Sequence, residues 1–254
     1  MLTPHGTLTS PRSACPREIQ PKRIASALLG LAARHGNIAA VPEIARFAIG
    51  AKGVIRLVVS AGSHGECDSL SHSLGLHCVF KALYVVPVGG TWRTIHAADT
   101  APNESDTAAA YFSFDRSASL QCAMADAQDS KMAGELFGYP PCCVATIGEL
   151  ADAGGAWPQV LVQRSGKPAT WHAAANRIVA DWGGIPPLGE LFPCRLSCEL
   201  AAALGAAGFE ALELLGLHRL AGQIRDGATR PWVLTHDGRA RPSLSNSAYH
   251  LPWP

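Results

Sequence analysis

The chain has 254 residues, 48% of them hydrophobic and 16% charged, which is enough to bury a real core in one large domain or two modest lobes. A net charge of +1 argues against a general polyanion-binding surface, although specific RNA recognition stays open, and no apolar run reaches the ~18 residues of a membrane span. Eight cysteines fall well below the density of a disulfide scaffold. With no secretory apolar segment near Met1, the chain is expected in the cytoplasm with reduced thiols.

Met1 to Pro21, rich in Pro, Ser and Thr, reads as a poorly ordered arm. Pro21 to His35 carries Ile24, Leu28, Leu29 and Leu31 among alanines and stops at Gly36-Asn37, the pattern of a helix. A second short helix is expected over Val41 to Ile49. Val54 to Ser60 is β-branched and continuous, so it reads as a buried strand. A turn over Ala61-Gly-Ser-His-Gly, a helix over Glu66 to Leu74, and strands over Val79 to Val88, Thr91 to Ala97 and Ala110 to Phe114 follow. Helices are then expected over Leu120 to Phe137, Pro141 to Ala151, Ala169 to Asp181 and Pro193 to Leu215, the last softened at Gly205 and Gly208. Val160-Leu-Val reads as a short strand. The expected fold class is α+β, with an N-terminal mixed α/β lobe carrying a small sheet and a mostly helical cysteine-bearing lobe. The boundaries are an arm over 1–21, the α/β lobe over 22–119, the helical metal-site lobe over 120–228 and an extended, proline-rich tail over 229–254.

Two cysteine clusters dominate: Cys142 and Cys143 in Phe-Gly-Tyr-Pro-Pro-Cys-Cys, then Cys194 and Cys198 in Phe-Pro-Cys-Arg-Leu-Ser-Cys. Each follows a proline, which suits the first turn of a helix because its missing N–H would be unpaired there anyway. First-turn amides and the helix dipole stabilise thiolates and can donate to cluster sulfides. Cys142, Cys143, Cys194 and Cys198 are therefore the expected metal ligands. Neighbouring cysteines have diverging side chains, which fits several irons better than one zinc. A 4Fe–4S iron–sulfur cluster is the leading expectation and zinc the alternative. Thiols packed as small core residues need no metal at all.

The Gly-Tyr-Pro-Pro-Cys-Cys and Pro-Cys-x-x-x-Cys segments resemble the signature of an uncharacterised, largely archaeal and bacterial family with Leu-Gly-Tyr-Pro-x-Cys-Cys and a later Pro-Cys-x-x-x-Cys. The likeness covers residues 134–199 and supplies no reaction. Cys122, the adjacent pair and the two later cysteines also resemble cysteine-rich domains of heterodisulfide-reductase type, which place an adjacent pair on iron–sulfur clusters. Here no Gly follows the pair and the last spacing is Cys-x-x-x-Cys, a departure from that pattern.

Around the thiols, His172 and Asn176 would share a helix face. His172 would move a proton while Asn176 and Arg177 meet a polar substrate, unless they only join helices. Tyr139 would cover the site or pack, and Arg195 would balance cluster charge or hold a carboxylate. Glu190 and Glu199 fit capping better than acid–base work. His64, Cys67 and His72 follow the first strand, where α/β proteins place ligands, and His64 is a candidate substrate contact. No Walker motif, nucleophile elbow or His-Glu-x-x-His occurs. The functional expectation is an iron–sulfur enzyme acting on a small polar substrate by redox, sulfur-transfer or Lewis-acid chemistry, with an electron or sulfur donor as partner. The alternatives are a zinc-stabilised protein- or RNA-binding module and a metal-free enzyme with a thiol nucleophile.

Overall fold

The computed structural model describes residues 21–88, 91–96, 107–153 and 156–243. The arm expected before Pro21 and the tail after Ser243 lie outside the described residues. Helix α1 (Pro21–Arg34) buries Ile24, Ala25, Leu28, Leu31 and Ala32 along one stripe. It ends in a Schellman turn. Gly36 takes φ +67°, Asn37 N–H donates to Ala32 O at 2.8 Å, and Gly36 N–H donates to Ala33 O at 3.2 Å. Helix α2 (Val41–Ala48) has a proline in its first turn and is buried throughout, including Glu43 and Arg46.

Strand β1 (Val54–Ser60), helix α3 (His64–Ser73), and strands β2 (His77–Val88), β3 (Thr91–His96) and β4 (Thr107–Ser113) follow. The sheet order is β1-β4-β2-β3, every pair antiparallel. Side chains alternate faces along each strand. Ile55, Leu57, Val59, Ala108, Ala110 and Phe112 join α1, α2 and α3 in the main core. Val54, Ala109 and Tyr111 face the opposite way and pack against α4 (Arg116–Gln128) and α5 (Ser130–Leu136). Both faces of β1 and β4 are therefore covered, which explains a continuous apolar run in an antiparallel strand. Because the sheet is not parallel, the ligand crevice expected beyond β1 loses its physical basis.

The α+β class stands, with local corrections. The helix expected over Leu120 to Phe137 is two helices, divided where the Asp129 carboxylate caps α5 through the amides of Lys131 and Met132. Pro141 to Ala151 is likewise two, α6 (Pro141–Val144) and α7 (Ile147–Asp152). Val160-Leu-Val lies inside helix α8 (Trp157–Arg164), not a strand. Helix α9 (Glu199–Leu214) starts later than expected and is unbroken at Gly205 and Gly208. Helix α10 (His218–Thr229) and a hairpin of β5 (Trp232–Leu234) with β6 (Ala240–Pro242) complete the described chain, so the start of the tail is not simply extended. The main core joins both halves, since Ala211, Leu212, Leu215, Ala221 and Ile224 pack with α1, α2 and the sheet.

Candidate metal centre

Two turns deliver the first pair of thiols. Helix α5 ends in a second Schellman turn, with Gly138 at φ +75°, Tyr139 N–H on Gly134 O and Gly138 N–H on Glu135 O, both at 2.9 Å. This reverses the chain and accounts for the glycine before Tyr139. Pro140 is extended, as a residue before proline prefers, and Pro141 opens the single turn of α6. Cys142 and Cys143 sit in that turn, Cys142 exposed and Cys143 buried.

The second pair was expected inside one helix, and the structure corrects this. Cys194 lies in a bend before α9, and Cys198 is the N-cap of α9. Cys198 N–H bonds Arg195 O at 3.2 Å, closing a turn around Leu196. That turn is clamped from both sides. Leu196 N–H donates to Ser165 Oγ at 2.7 Å, and Leu196 O accepts from His172 N–H at 2.9 Å. Ser197 Oγ donates to Ser165 O at 3.3 Å.

The four sulfurs converge to within 4.8 Å of one another. Cys142 Sγ is 3.9 Å from Cys143 Sγ and 3.7 Å from Cys198 Sγ, and Cys143 Sγ is 3.9 Å from Cys198 Sγ. The adjacent pair thus converges despite its expected divergence. Cys194 N–H points at Cys143 Sγ (3.4 Å) and Ala201 N–H at Cys198 Sγ (3.5 Å), so backbone donors support two sulfurs. Burial pushes the Cys143 thiol up despite the Cys194 amide, and burial with Cys198 beside it pushes Cys194 up to about 11. Burial would raise Cys198 as well, but the Ala201 amide and the neighbouring thiols outweigh it and hold Cys198 below the usual thiol value. No disulfide links these cysteines. The donor set fits a metal: a tetrahedral ion with sulfurs at ~2.3 Å has sulfur–sulfur edges of ~3.8 Å, the spacing among Cys142, Cys143 and Cys198, with Cys194 within 4.8 Å. A cleft of about 730 Å³ opens over Cys142, Cys194 and Cys198, flanked by Arg164, Arg195 and Thr146.

The remaining expected site residues are placed as follows. His172 and Asn176 share no helix face, because residues 168–182 form three separate 3-10 turns with His172 and Asn176 extended between them. Asn176 is fully buried and donates to Ala228 O at 2.8 Å. His172 is half-buried and takes part through its backbone. The Arg177 guanidinium stacks on Phe192, 4.8 Å from the ring centroid. Arg195 is exposed at the cleft. His64 is an exposed residue on α3, 3.6 Å from Asp68. Among the described residues, His64, Cys67 and His72 form no metal-competent group.

A buried polar network beside the thiols was not read from the sequence. Glu43 meets Lys52 Nζ at 3.4 Å and the Tyr139 hydroxyl at 2.9 Å. Arg56 bonds Glu190 at 2.7 Å and Asp126 at 2.8 Å, and Asp126 accepts from the Tyr111 hydroxyl at 2.5 Å. The available signal was an arginine in the middle of the otherwise apolar Val54–Ser60 strand. Comparison with family models, with curated proteins and with solved structures gives no match to this chain.

Proposed function

We propose that this chain is a metal–thiolate protein in which Cys142, Cys143, Cys194 and Cys198 hold a single zinc ion that joins the α6 turn to the N-cap of α9. The observation that carries this is the spacing of the Cys142, Cys143 and Cys198 sulfurs, 3.7–3.9 Å apart, which matches the edge of one ion's tetrahedron, with the Cys194 sulfur within 4.8 Å of them as the fourth donor. In a cubane each terminal thiolate sits on its own iron and radiates outward, so the sulfurs stand farther apart than this. With all four positions filled by protein, the ion is a structural fastener, the zinc-stabilised module among the expected alternatives. The cleft beside it, with Arg164 and Arg195, is the binding surface, its protein or RNA partner engaging the exposed Arg195.

One observation supports a second reading, a 4Fe–4S enzyme acting on a small polar substrate. Cys142 is exposed at a cleft of about 730 Å³, room for a larger centre and for a substrate beside it. Anaerobic purification, metal analysis and an absorption spectrum separate the two. The zinc proposal expects one zinc per chain and no visible absorption. Several irons per chain with acid-labile sulfide and a brown colour would overturn it in favour of the cluster.

A further inference from the structure

Glu43 is buried in α2, 2% exposed, yet one of its oxygens contacts both cysteine-bearing segments. Glu43 Oε1 accepts from the Tyr139 hydroxyl at 2.9 Å and from Glu190 N–H at 3.1 Å. Tyr139 stands three residues before Cys142, and Glu190 four before Cys194. The other oxygen faces Lys52 Nζ at 3.4 Å, and Lys52 donates to Phe137 O at 2.6 Å and lies 4.8 Å above the Tyr139 ring. Gly189 shows how closely the second segment passes. It has φ +71°, and a Cβ there would come 2.4 Å from Glu43 Cγ. The Glu190 side chain is held in turn by Arg56, at 3.2 Å through Nε and 2.7 Å through Nη2.

Burying these ions is costly, and well-packed apolar residues of equal volume would stabilise the core at least as well. The geometry gives the ions a different task. Hydrogen bonds donated to one carboxylate fix the register of two segments far apart in sequence, which apolar contact would leave free to slide. Taking the metal–thiolate centre as given, we infer that Glu43 is a positioning residue for it. By binding Tyr139 and the Glu190 amide through one oxygen, Glu43 sets the separation of the Cys142–Cys143 turn from the Cys194–Cys198 loop. It touches no sulfur and acts through the two segments.

The test uses the full chain as wild type, Tyr139→Phe, Glu43→Gln and Glu43→Ala. Tyr139→Phe deletes one bond and keeps the ring, so it carries the test if Glu43→Ala fails to fold. Glu43→Gln keeps an oxygen that can accept both bonds. The first readout is zinc affinity by competition with a chromophoric chelator. Loss of direct hydrogen-bond partners of metal ligands typically lowers affinity 10–100-fold; Glu43 acts one bond further out, so Glu43→Ala is expected near the ~10-fold end and Tyr139→Phe at a few-fold, with Gln recovering part. The second is the ligand-field spectrum of the cobalt-loaded protein, expected to shift in the Phe and Ala variants and return toward wild type in Gln. The third needs no metal: dibromobimane bridging of Cys142 to Cys194 in chelator, expected to slow in the Phe and Ala variants. Unchanged affinity, spectrum and bridging, with only a lower melting temperature, would overturn the positioning role. A wild type that binds neither zinc nor cobalt would instead sink the metal reading, and the bridging rates would still decide the role of Glu43.

Discussion

Gly205→Ala measures how tightly α9, and with it Cys198, is seated. An alanine Cβ at this position would lie 2.0 Å from the Ala174 carbonyl oxygen and 2.9 Å from its carbon. That carbonyl belongs to the buried 3-10 turn Ala173–Ala175, so the clash is with backbone and no side chain can rotate away. Two effects oppose each other. Alanine in place of a helix-interior glycine gains ~1 kcal/mol, whereas forcing a methyl into a filled core costs ~1–3 kcal/mol and more where backbone must move. An approach more than an ångström inside normal contact belongs beyond the upper end of that range. The net is a loss of at least about 2 kcal/mol, which sets a lower bound of ~4–8 °C on the fall in melting temperature for a chain of this size. Gly222→Ala, in α10 with nothing within 4 Å of the added Cβ, isolates the propensity term. It should raise stability by ~0.5–1 kcal/mol. Calorimetric melting of the two variants beside wild type decides the matter. Equal or greater stability of Gly205→Ala relative to Gly222→Ala would refute the close approach of α9 to the Ala173–Ala175 turn.

Other outcomes follow from the same contacts. Ser165→Ala strands the Leu196 amide between the two later cysteines; stability should fall by ~1–3 kcal/mol in denaturant melts, and zinc release to a chelator should quicken. Lys52→Met leaves buried Glu43 without its ion-pair partner and with only Arg46 as a nearby cation, an expected loss of ~3 kcal/mol, and adding Glu43→Gln should restore much of it in a double-mutant cycle. Glu43 also sets a pH dependence. Burial alone would raise its pKa, but Lys52, Arg46, the Tyr139 hydroxyl and the Glu190 amide outweigh burial and hold it below the ordinary value. A depressed carboxylate contributes stability above its unfolded pKa of about 4.3 and loses it as pH falls through the folded value. The stability gap between wild type and Glu43→Gln should therefore be flat near neutrality and narrow in acid; a gap that widens in acid contradicts the assignment. Cys122→Ser, in the α4 core and outside the sulfur cluster, should keep its metal, whereas Cys194→Ser should lose it by elemental analysis.

The cysteines were legible because their signal is local: two proline-led segments with thiols at short spacing. Their convergence across the intervening chain needed the fold. The alanines of residues 169–181 misled for a physical reason. They read as helix formers, but Gly205 packs on the Ala174 carbonyl, and the Ala173–Ala175 side chains are small because α9 lies against them. His172 N–H goes to Leu196 and the Asn176 side chain to Ala228, so contacts from distant segments override helix propensity there. The β1 and β4 strands were readable from their apolar runs, but their antiparallel pairing was not, since burial on both faces erases the alternation that distinguishes such sheets. Glu43, Lys52, Asp126 and Glu190 look like ordinary charged residues one by one. Only tertiary contact turns them into a network.

X-ray absorption at the metal edge of the purified protein tests the central claim most directly. One ion in a tetrathiolate site gives a single shell of four sulfurs at ~2.3 Å and no metal–metal scattering, at a stoichiometry of one zinc per chain. Iron–iron scattering, or a first shell dominated by nitrogen or oxygen, would contradict it.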